Sequence, residues 1–522
     1  MFTCTSRVWG KNVAVLSADP TAPTGDDLAA IQAPVLLSEL ARELPEATLH
    51  GDALVRSIAY DSRRVLDGTL FFALPGVHTD GHDHARTAVA AGACGLVVER
   101  ALDLPVAQLV VPSVRRAIGP LAASFFGRPS DKLAVVGVTG TNGKTTTCAV
   151  LRHCLNASGI PAGQIGTVGS HFLGRSISTS LTTPQAPDLQ WILRQMTRAG
   201  VRAVAMEASS HGLDQGRLDG ISFDVGVFMN LSREHLDYHG TMERYLDAKA
   251  ALFEPSRCRA GLVCVDDEWG RRLAASIKIP ITTFGHGPDA DVQVFVEERG
   301  LAGITVKMRW PDGGEIELLS PLVGRINGSN VAASYLAAQM LGCASADAVA
   351  AIASASPPPG RFELIDAGQS FLVVVDYAHT PDALDELIGT ARRISDGKVS
   401  VVLGARGGRD RGKRPLIGQV AAHADRVFLT TDSPGDEPIA DIIGALYRGT
   451  LESGRNTAVV VEPDRRGAID MAIGGAEEGD VVLIVGRGHE QFQHFGDETV
   501  QLDDRVAARE SLVARVGASV DR

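Results

Sequence analysis

The chain has 522 residues, 45% of them hydrophobic and 21% charged. That balance supports buried cores for about three domains and excludes wholesale disorder. Fifty Lys and Arg against 62 Asp and Glu leave a formal charge of −12. Such a chain is a poor general binder of nucleic acid or anionic membrane, so an anionic substrate must be held by local groups.

The cysteines, at positions 4, 94, 148, 154, 258, 264 and 343, form no CxxC pair and are odd in number. That fits reduced thiols rather than a disulfide framework or a zinc site. No apolar run reaches the ~18 residues of a membrane span, and the N-terminus lacks the signal-peptide pattern. The expectation is a soluble, cytoplasmic, monomeric protein without nucleic-acid or membrane partners.

In chain order, residues 1–33 read as a loose extension and 34–126 as a small α/β domain. There LSELARELP is helical, LFFALPG is a strand entering a turn, and ARTAVAAGACGLVVER is a helix followed by a strand. FGRPSDK (126–132) reads as a linker. A central domain follows over 127–356. LAVVGV is a short buried strand, then come a Gly-rich turn and a helix, TTTCAVLRHCLNASG, with a Gly stop. Apolar runs at 201–206, 223–228 and 261–265 alternate with helices, which predicts a parallel sheet covered on both faces. The last domain, 357–522, repeats the pattern with runs at 371–375, 399–404, 426–431, 458–462 and 481–486, a second α/β sheet of Rossmann type.

The turn GVTGTNGKTTT (137–147) lies between a strand and a helix, where backbone N–H groups cradle phosphate. Lys144 would reach the β- and γ-phosphates and Thr145 would hold Mg²⁺. Val138 occupies the first glycine position of the strict phosphate-loop pattern, so Gly140 and Gly143 supply the flexibility in this variant. The alternative, an ordinary Gly-rich turn, does not account for Gly-Lys-Thr-Thr after a buried strand. ATP alone does not name the reaction, because hydrolysis, phosphoryl transfer and ligation share this start.

Ligands of open α/β sheets gather at the carboxyl ends of strands. Two such ends carry Glu207 and the set Asn230, Glu234 and His235, donors that suit Mg²⁺ or Mn²⁺ shared with a nucleotide. A lone histidine such as His211 is equally well read as a satisfied hydrogen-bonding group. Composition alone places Lys249 on the surface, its stem covering apolar neighbours. A desolvated lysine would instead have a lowered pKa and could take up CO₂ as a carbamate.

The segments TGTNGKTT (139–146), LTTP (181–184), MEASSHGLDQGR (206–217), NLSREHLDYHGTMERYLDAK (230–249), GRINGSNVAAS (324–334), PGRFE (359–363), VVDYAHTPDAL (374–384), GGRDRGKRP (407–415) and GRGHE (486–490) together resemble the Mur ligases. HLDYHGTMERY points within them to the tripeptide-forming, MurE-type branch. The resemblance runs over about 34–515, through all three blocks. It implies three α/β domains and an ATP- and Mg²⁺-dependent amide ligase of peptidoglycan synthesis. In that reaction a carboxylate of UDP-N-acetylmuramoyl-L-alanyl-D-glutamate becomes an acyl phosphate, which the amine of an amino acid captures. A paralogue serving a secondary pathway is the alternative.

Carried over residue by residue, the resemblance makes Lys144, Glu207, His235 and Lys249 the catalytic set. Thr145, Glu207, His235 and a carbamylated Lys249 (N6-carboxylysine) become metal ligands. Gly140, Thr141, Asn142, Gly143, Lys144, Thr145, Thr146, Asn327 and Asn330 would bind ATP, although Asn327 and Asn330 also read as an N-cap cluster. Ser62, His78, Thr79, Thr182, Thr183, Ser209, Gln215 and Arg217 would bind the nucleotide-sugar peptide. Arg361, Asp376, Tyr377 and His379 would line a closing third domain that keeps water from the intermediate.

The acceptor amino acid would meet Arg409, Asp432, Ser433, Gly435, Asp436, Gly486 and Glu490. By the same resemblance, members that add meso-diaminopimelate carry Asp-Asn-Pro-Arg where this chain has Asp432-Ser433-Pro434-Gly435, followed by Asp436 and Glu437. Without that arginine a distal carboxylate would be left unpaired. The expectation is therefore an acceptor other than meso-diaminopimelate. Lysine or ornithine is favoured over a small neutral one, its ammonium meeting Asp436 and Glu437.

Overall fold

The computed structural model describes residues 33–76 and 79–520, with side chains described as far as Arg515. Residues 1–32 of the expected extension, and His78, lie outside the described residues. The first sheet contains β1 (Thr48–His50), β2 (Ser57–Ala59), β3 (Thr69–Phe72), β4 (Ala93–Val98) and β5 (Ala107–Val110), in the order β1-β5-β4-β3-β2. Helix α1 (Val114–Phe125) starts at Ser113, whose hydroxyl accepts from the Arg116 N–H, and buries eight of its 12 residues.

The central domain begins with β6 (Ala134–Thr139) and α2 (Lys144–Ala157). It continues with β7 (Ala162–Gly166), β8 (Gly169–Phe172), β9 (Arg175–Ile177), α3 (Ala186–Arg198), β10 (Ala203–Glu207), α4 (Ser210–Asp214), β11 (Phe223–Phe228) and α5 (Met242–Ala250). Then come β12 (Cys258–Cys264), β13 (Ile281–Gly285), β14 (Val292–Glu298), β15 (Ile304–Arg309), β16 (Glu315–Ser320) and α6 (Ile326–Met340). The sheet has eleven strands in the order β9-β8-β7-β10-β6-β11-β12-β13-β14-β15-β16.

Strands β7 through β14 in that order are parallel, but antiparallel strands close both edges, so the sheet is mixed where a parallel one was expected. The edge strands escape the apolar-run signal for a physical reason. In β15 and β16 the buried residues alternate with exposed Lys307, Arg309, Glu315 and Glu317, which pair across the strands in the solvent.

The third domain contains β17 (Glu363–Leu364), β18 (Leu372–Asp376), α7 (Pro381–Ile394), β19 (Val399–Leu403), α8 (Lys413–Ala421), β20 (Arg426–Leu429), α9 (Ile439–Glu452), β21 (Ala458–Val461), α10 (Arg465–Gly474) and β22 (Val481–Val485). A hairpin, β23 (Phe492–Phe495) and β24 (Glu498–Gln501), and helix α11 (Asp504–Val520) complete it. The sheet order is β17-β18-β22-β19-β20-β21, parallel except for β17.

The first two blocks share one core. Phe125 and Phe126 of the first are in the same apolar cluster as Leu193, Met196 and Phe223 of the second. The segment expected to be a linker is a 3-10 turn, Pro129–Lys132, with Pro129 and Ser130 buried. Burying each such aromatic contributes about 2–3 kcal/mol, so these blocks behave as one body. The third domain has its own apolar clusters. It meets the central domain largely through polar side chains, among them Lys413 with Glu234 and Arg393 with Glu298.

Candidate active site

The phosphate loop follows buried β6 and ends where α2 begins at Lys144. Gly143 has φ +89°, and a Cβ there would lie 2.3 Å from Asn330 Oδ1, so only glycine fits. Asn230 fixes the loop from the end of β11: its carbonyl accepts from the Thr141 N–H (3.0 Å) and its Oδ1 from the Asn142 N–H (2.9 Å). Asn230 is thus a clamp on the loop, a role its sequence position at a strand end did not reveal. The Lys144 ammonium donates to the carbonyls of Gly140 (2.8 Å) and Thr141 (2.7 Å). Burial lowers its pKa, with Glu207 the main opposing group. These features together give a free helix N-terminus and a cation at one point, suited to a polyphosphate.

Glu207, the last residue of β10, accepts from the Thr145 hydroxyl (2.9 Å), the Thr167 N–H (2.9 Å) and the Thr167 hydroxyl (3.0 Å). His235 has φ +56°, unusual for a non-glycine residue and a sign of a constrained site. Burial, then His211 and Lys249, push its pKa below the ordinary range, leaving a neutral imidazole. Among the described residues no group of three or more His, Cys, Asp or Glu side chains could hold a metal on its own. The Thr145–Glu207 pair nevertheless fits Mg²⁺, which needs only one or two protein oxygens when phosphates and water complete the shell.

Lys249 is 1% exposed, so the surface position that composition suggests is wrong. Its α5 neighbours Tyr245, Leu246 and Ala248 are buried with it, and its Nζ lies 4.5 Å from the Tyr245 ring centroid. The amine donates to Gly140 O (2.9 Å), the carbonyl that Lys144 also uses. Burial and then Lys144 press its pKa well below the ordinary value.

A cavity of about 490 Å³ joins this corner to the third domain; Lys144, Thr145, Glu207, His235, Lys249 and Thr182 are among its walls. A second, of about 390 Å³, opens from Asn142, Gly143 and Thr146 onto Asn327, Asn330, Val323 and Phe362. Asn327 and Asn330 lie inside the first turns of α6 rather than capping it: Asn327 donates to Val323 O (2.7 Å) and Asn330 to Asn327 Oδ1 (2.9 Å). Arg361 crosses from the third domain to donate to the Thr145 hydroxyl (3.2 Å), its guanidinium 4.4 Å from the Tyr377 ring centroid. Asp376 accepts from the Phe362 and Ala378 N–H groups, and His379 Nδ1 lies 2.8 Å from the Tyr377 carbonyl.

The residues expected to hold the nucleotide sugar fall into two sets. Thr183 donates to Glu207 O (2.8 Å) and accepts from the Ser209 N–H (3.0 Å), while Arg217 donates to Thr183 O (2.9 Å) and to Gln215 Oε1 (2.5 Å). This set therefore leans directly on the Glu207 strand end. Ser62, in a 3-10 turn, and exposed Thr79 belong to the first domain and line neither of these two cavities. Tyr60 and Arg64, beside Ser62, bind Asp188 of the central domain at 2.5 and 3.2 Å.

At the third-domain end Arg409, Asp432, Gly486 and Glu490 line the larger cavity, and Ser433, Gly435 and Asp436 do not. Ser433 is buried, its Oγ accepting from the His494 N–H (3.3 Å). Asp436 is exposed, and the space beside the Gly435 Cα is open. Glu437 is bonded to Arg414 at 2.7 and 2.8 Å and to the Gly408 N–H at 3.2 Å, and the Arg414 contacts hold its carboxyl down at about 2. Both expected partners of a substrate ammonium are thereby removed, Glu437 by its arginine and Asp436 by its place outside the cavity. Arg406, which sequence reasoning passed over in a Gly- and Arg-rich loop, does line the cavity and binds Glu490.

The chain matches the Mur ligase family catalytic domain over residues 54–125, the Mur ligase middle domain over 138–338 and the Mur ligase glutamate ligase domain over 360–488. It is 41% identical over 489 residues to a UDP-N-acetylmuramoyl-L-alanyl-D-glutamate–2,6-diaminopimelate ligase of Geobacillus thermodenitrificans, covering 92% of this chain and 99% of that one. A ligase of the same name from Streptomyces coelicolor is 40% identical over 487 residues, covering 91% and 96%. A solved structure bearing that name superposes with a TM-score of 0.62 at 32% identity, over 88% of this chain and 95% of the other. No helix among the described residues is long and apolar enough to cross a membrane. The chain belongs to the Mur ligase family, in its MurE-type branch, and is an ATP-dependent amide-bond ligase.

Proposed function

We propose that the protein joins an amino acid to the D-glutamate carboxylate of UDP-N-acetylmuramoyl-L-alanyl-D-glutamate, through an acyl phosphate made from ATP. The observation that carries this reading is the single cavity in which the phosphate loop, Glu207 and the third-domain acceptor residues meet. The smaller, largely apolar cavity beside Gly143 and Asn330 would take the nucleoside of ATP. Lys144 and the loop N–H groups would hold its phosphates, and Arg361 would add positive charge from the third domain, where charge develops in transfer. Thr145, Glu207 and His235 would hold Mg²⁺, whose positive charge offsets the repulsion between a carboxylate and a polyphosphate.

Burial and Lys144 press the Lys249 pKa well below the ordinary value, which favours the neutral amine, and that form can add to CO₂ with release of one proton. The carbamate so formed would turn a buried base into an anionic ligand for the same cation. Ser62, Thr79, Thr183, Ser209, Gln215 and Arg217 would seat the nucleotide sugar along the junction of the first two domains, with the guanidinium of Arg217 facing a substrate anion.

For the acceptor, 2,6-diaminopimelate is the reading that the names of the 40–41% identical relatives support. The argument against it from Gly435 is weakened because a different guanidinium, Arg406, stands in the cavity. Lysine or ornithine is the second reading, and it rests on the missing arginine at position 435. The test is incubation with ATP, Mg²⁺, the UDP-dipeptide and each amino acid, followed by product mass. A product heavier by one amino-acid residue supports the proposal; ATP hydrolysis without any such product refutes it.

A further inference from the structure

At the acceptor end of the cavity two carboxylates and two guanidiniums face one another. Asp432 is 3% exposed, and its Oδ1 has no hydrogen-bond partner. The Arg406 Nε is 3.9 Å from that oxygen, beyond hydrogen-bond length. Arg406 spends one Nη2 proton on Glu490, and its other side-chain N–H groups make no hydrogen bond among the described residues; its side chain is 36% exposed and lines the cavity. The carbonyl of Arg406 is held by Arg414 Nη2 at 3.0 Å, which sets the loop that carries it. Arg409 lines the same cavity and has no hydrogen-bond or ion-pair partner among the described residues.

A buried carboxylate oxygen without a donor is costly unless a ligand supplies one. A half-committed guanidinium fork calls for a carboxylate. One chemical group answers both demands side by side, the ammonium and carboxylate of an α-amino-acid end. With Arg409 left for the carboxylate beside the reacting amine, the pocket matches an acceptor that carries two such ends.

We propose that Arg406 is the specificity-determining residue for the acceptor: its guanidinium binds the distal carboxylate while Asp432 Oδ1 accepts from the distal ammonium, so the pocket selects a diamino dicarboxylic acid. This rests on the ligase reading above and adds the residue that makes the choice. Arg406 then supplies, from the loop after β19, the charge that Gly435 does not. Lysine satisfies Asp432 but brings only a second cation beside Arg406.

The test is steady-state phosphate release by the full-length enzyme, with meso-diaminopimelate, its distal monoamide and L-lysine as acceptors. The wild type should use the monoamide and lysine with kcat/KM about 30-fold or more below diaminopimelate, the scale of one charge-assisted pair. Arg406→Ala should raise KM for diaminopimelate by a similar factor while kcat/KM for lysine rises, because the cation beside its ammonium is gone, and Arg406→Lys should recover part of the loss for diaminopimelate. Equal losses for both acceptors would mean that Arg406 only neutralises Glu490, and would overturn the proposal. Equal use of diaminopimelate and its monoamide by the wild type would also overturn it, without any variant having to fold. A wild type that ligates lysine in preference sinks this inference but leaves the ligase reading standing; one that ligates nothing sinks both.

Discussion

Removing the Lys413 ammonium should undock the third domain. Its Nζ lies 2.9 and 3.0 Å from the two Glu234 oxygens, with both side chains 8% exposed. Burial raises the Glu234 pKa and Lys413 is the main group opposing it, so the carboxylate depends on this partner. The nearby imidazoles cannot replace it. His235 and His379 stand 3.9 Å from Glu234, and burial drives both pKa values down, leaving them neutral. Breaking a buried pair from one side costs about 3–5 kcal/mol.

The other domain contacts are weaker: Arg393 to Glu298 is close, at 2.7 Å, but its arginine is 40% exposed and solvent screens the pair. Arg233 to Asp410 is a long pair at 3.4 Å with the arginine 45% exposed, and such pairs are worth less than about 1 kcal/mol. Arg361 to Thr145 and His489 to Thr167 O are single bonds of 3.2 Å. The loss therefore falls on docking, and about 3 kcal/mol shifts that equilibrium by roughly two decades. Lys413→Met should enlarge the radius of gyration in small-angle X-ray scattering and lower kcat. Combined with Glu234→Gln, it should lose less than the sum of the single changes, with a coupling of at least about 1 kcal/mol. An unchanged radius of gyration, or strictly additive effects, would refute the reasoning.

Gly143→Ala places a methyl 2.3 Å from Asn330 Oδ1 at φ +89°; titration calorimetry with ADP should show binding weakened at least tenfold, on the scale of about 1.4 kcal/mol per decade, and an unchanged Kd would contradict the account of the loop. Gly119→Ala, on α1, puts a methyl 2.4 Å from the Asp219 carbonyl in the shared core. It should destabilise by about 1–3 kcal/mol, read as a lower melting temperature, and a neutral effect would count against one body for the first two domains. His489 has its pKa lowered to about 4, first by burial. The folded state binds fewer protons than the unfolded one, so this group's contribution is complete above pH 6.5 and falls as pH drops from 6.5 to 4. His489→Gln should flatten the fall in melting temperature across that window; an identical slope would remove the argument.

The phosphate loop and the buried parallel strands were legible because each leaves a local mark: an apolar run, a glycine with a special dihedral, a lysine opening a helix. What the sequence left out depends on groups distant along the chain. Asn230 reads as a strand-end ligand until Thr141 and Asn142 are seen to donate to it. Lys249 looks solvated because its burial comes from packing against the phosphate loop more than a hundred residues earlier. The acids after Gly435 looked available because Arg414, which occupies Glu437, lies 23 positions upstream. Arg406 carried no signal in a loop of glycines and arginines; its meaning comes from Asp432 and Glu490, brought beside it by β20 and β22. Antiparallel β15 and β16 were missed since half-exposed strands alternate instead of forming apolar runs.

The most direct measurement is the fate of oxygen in the D-glutamate carboxylate. With ¹⁸O in that group, ATP, Mg²⁺ and the acceptor, activation by phosphoryl transfer predicts that one labelled oxygen per amide formed leaves in inorganic phosphate. Phosphate free of label, with peptide product formed, would contradict the account.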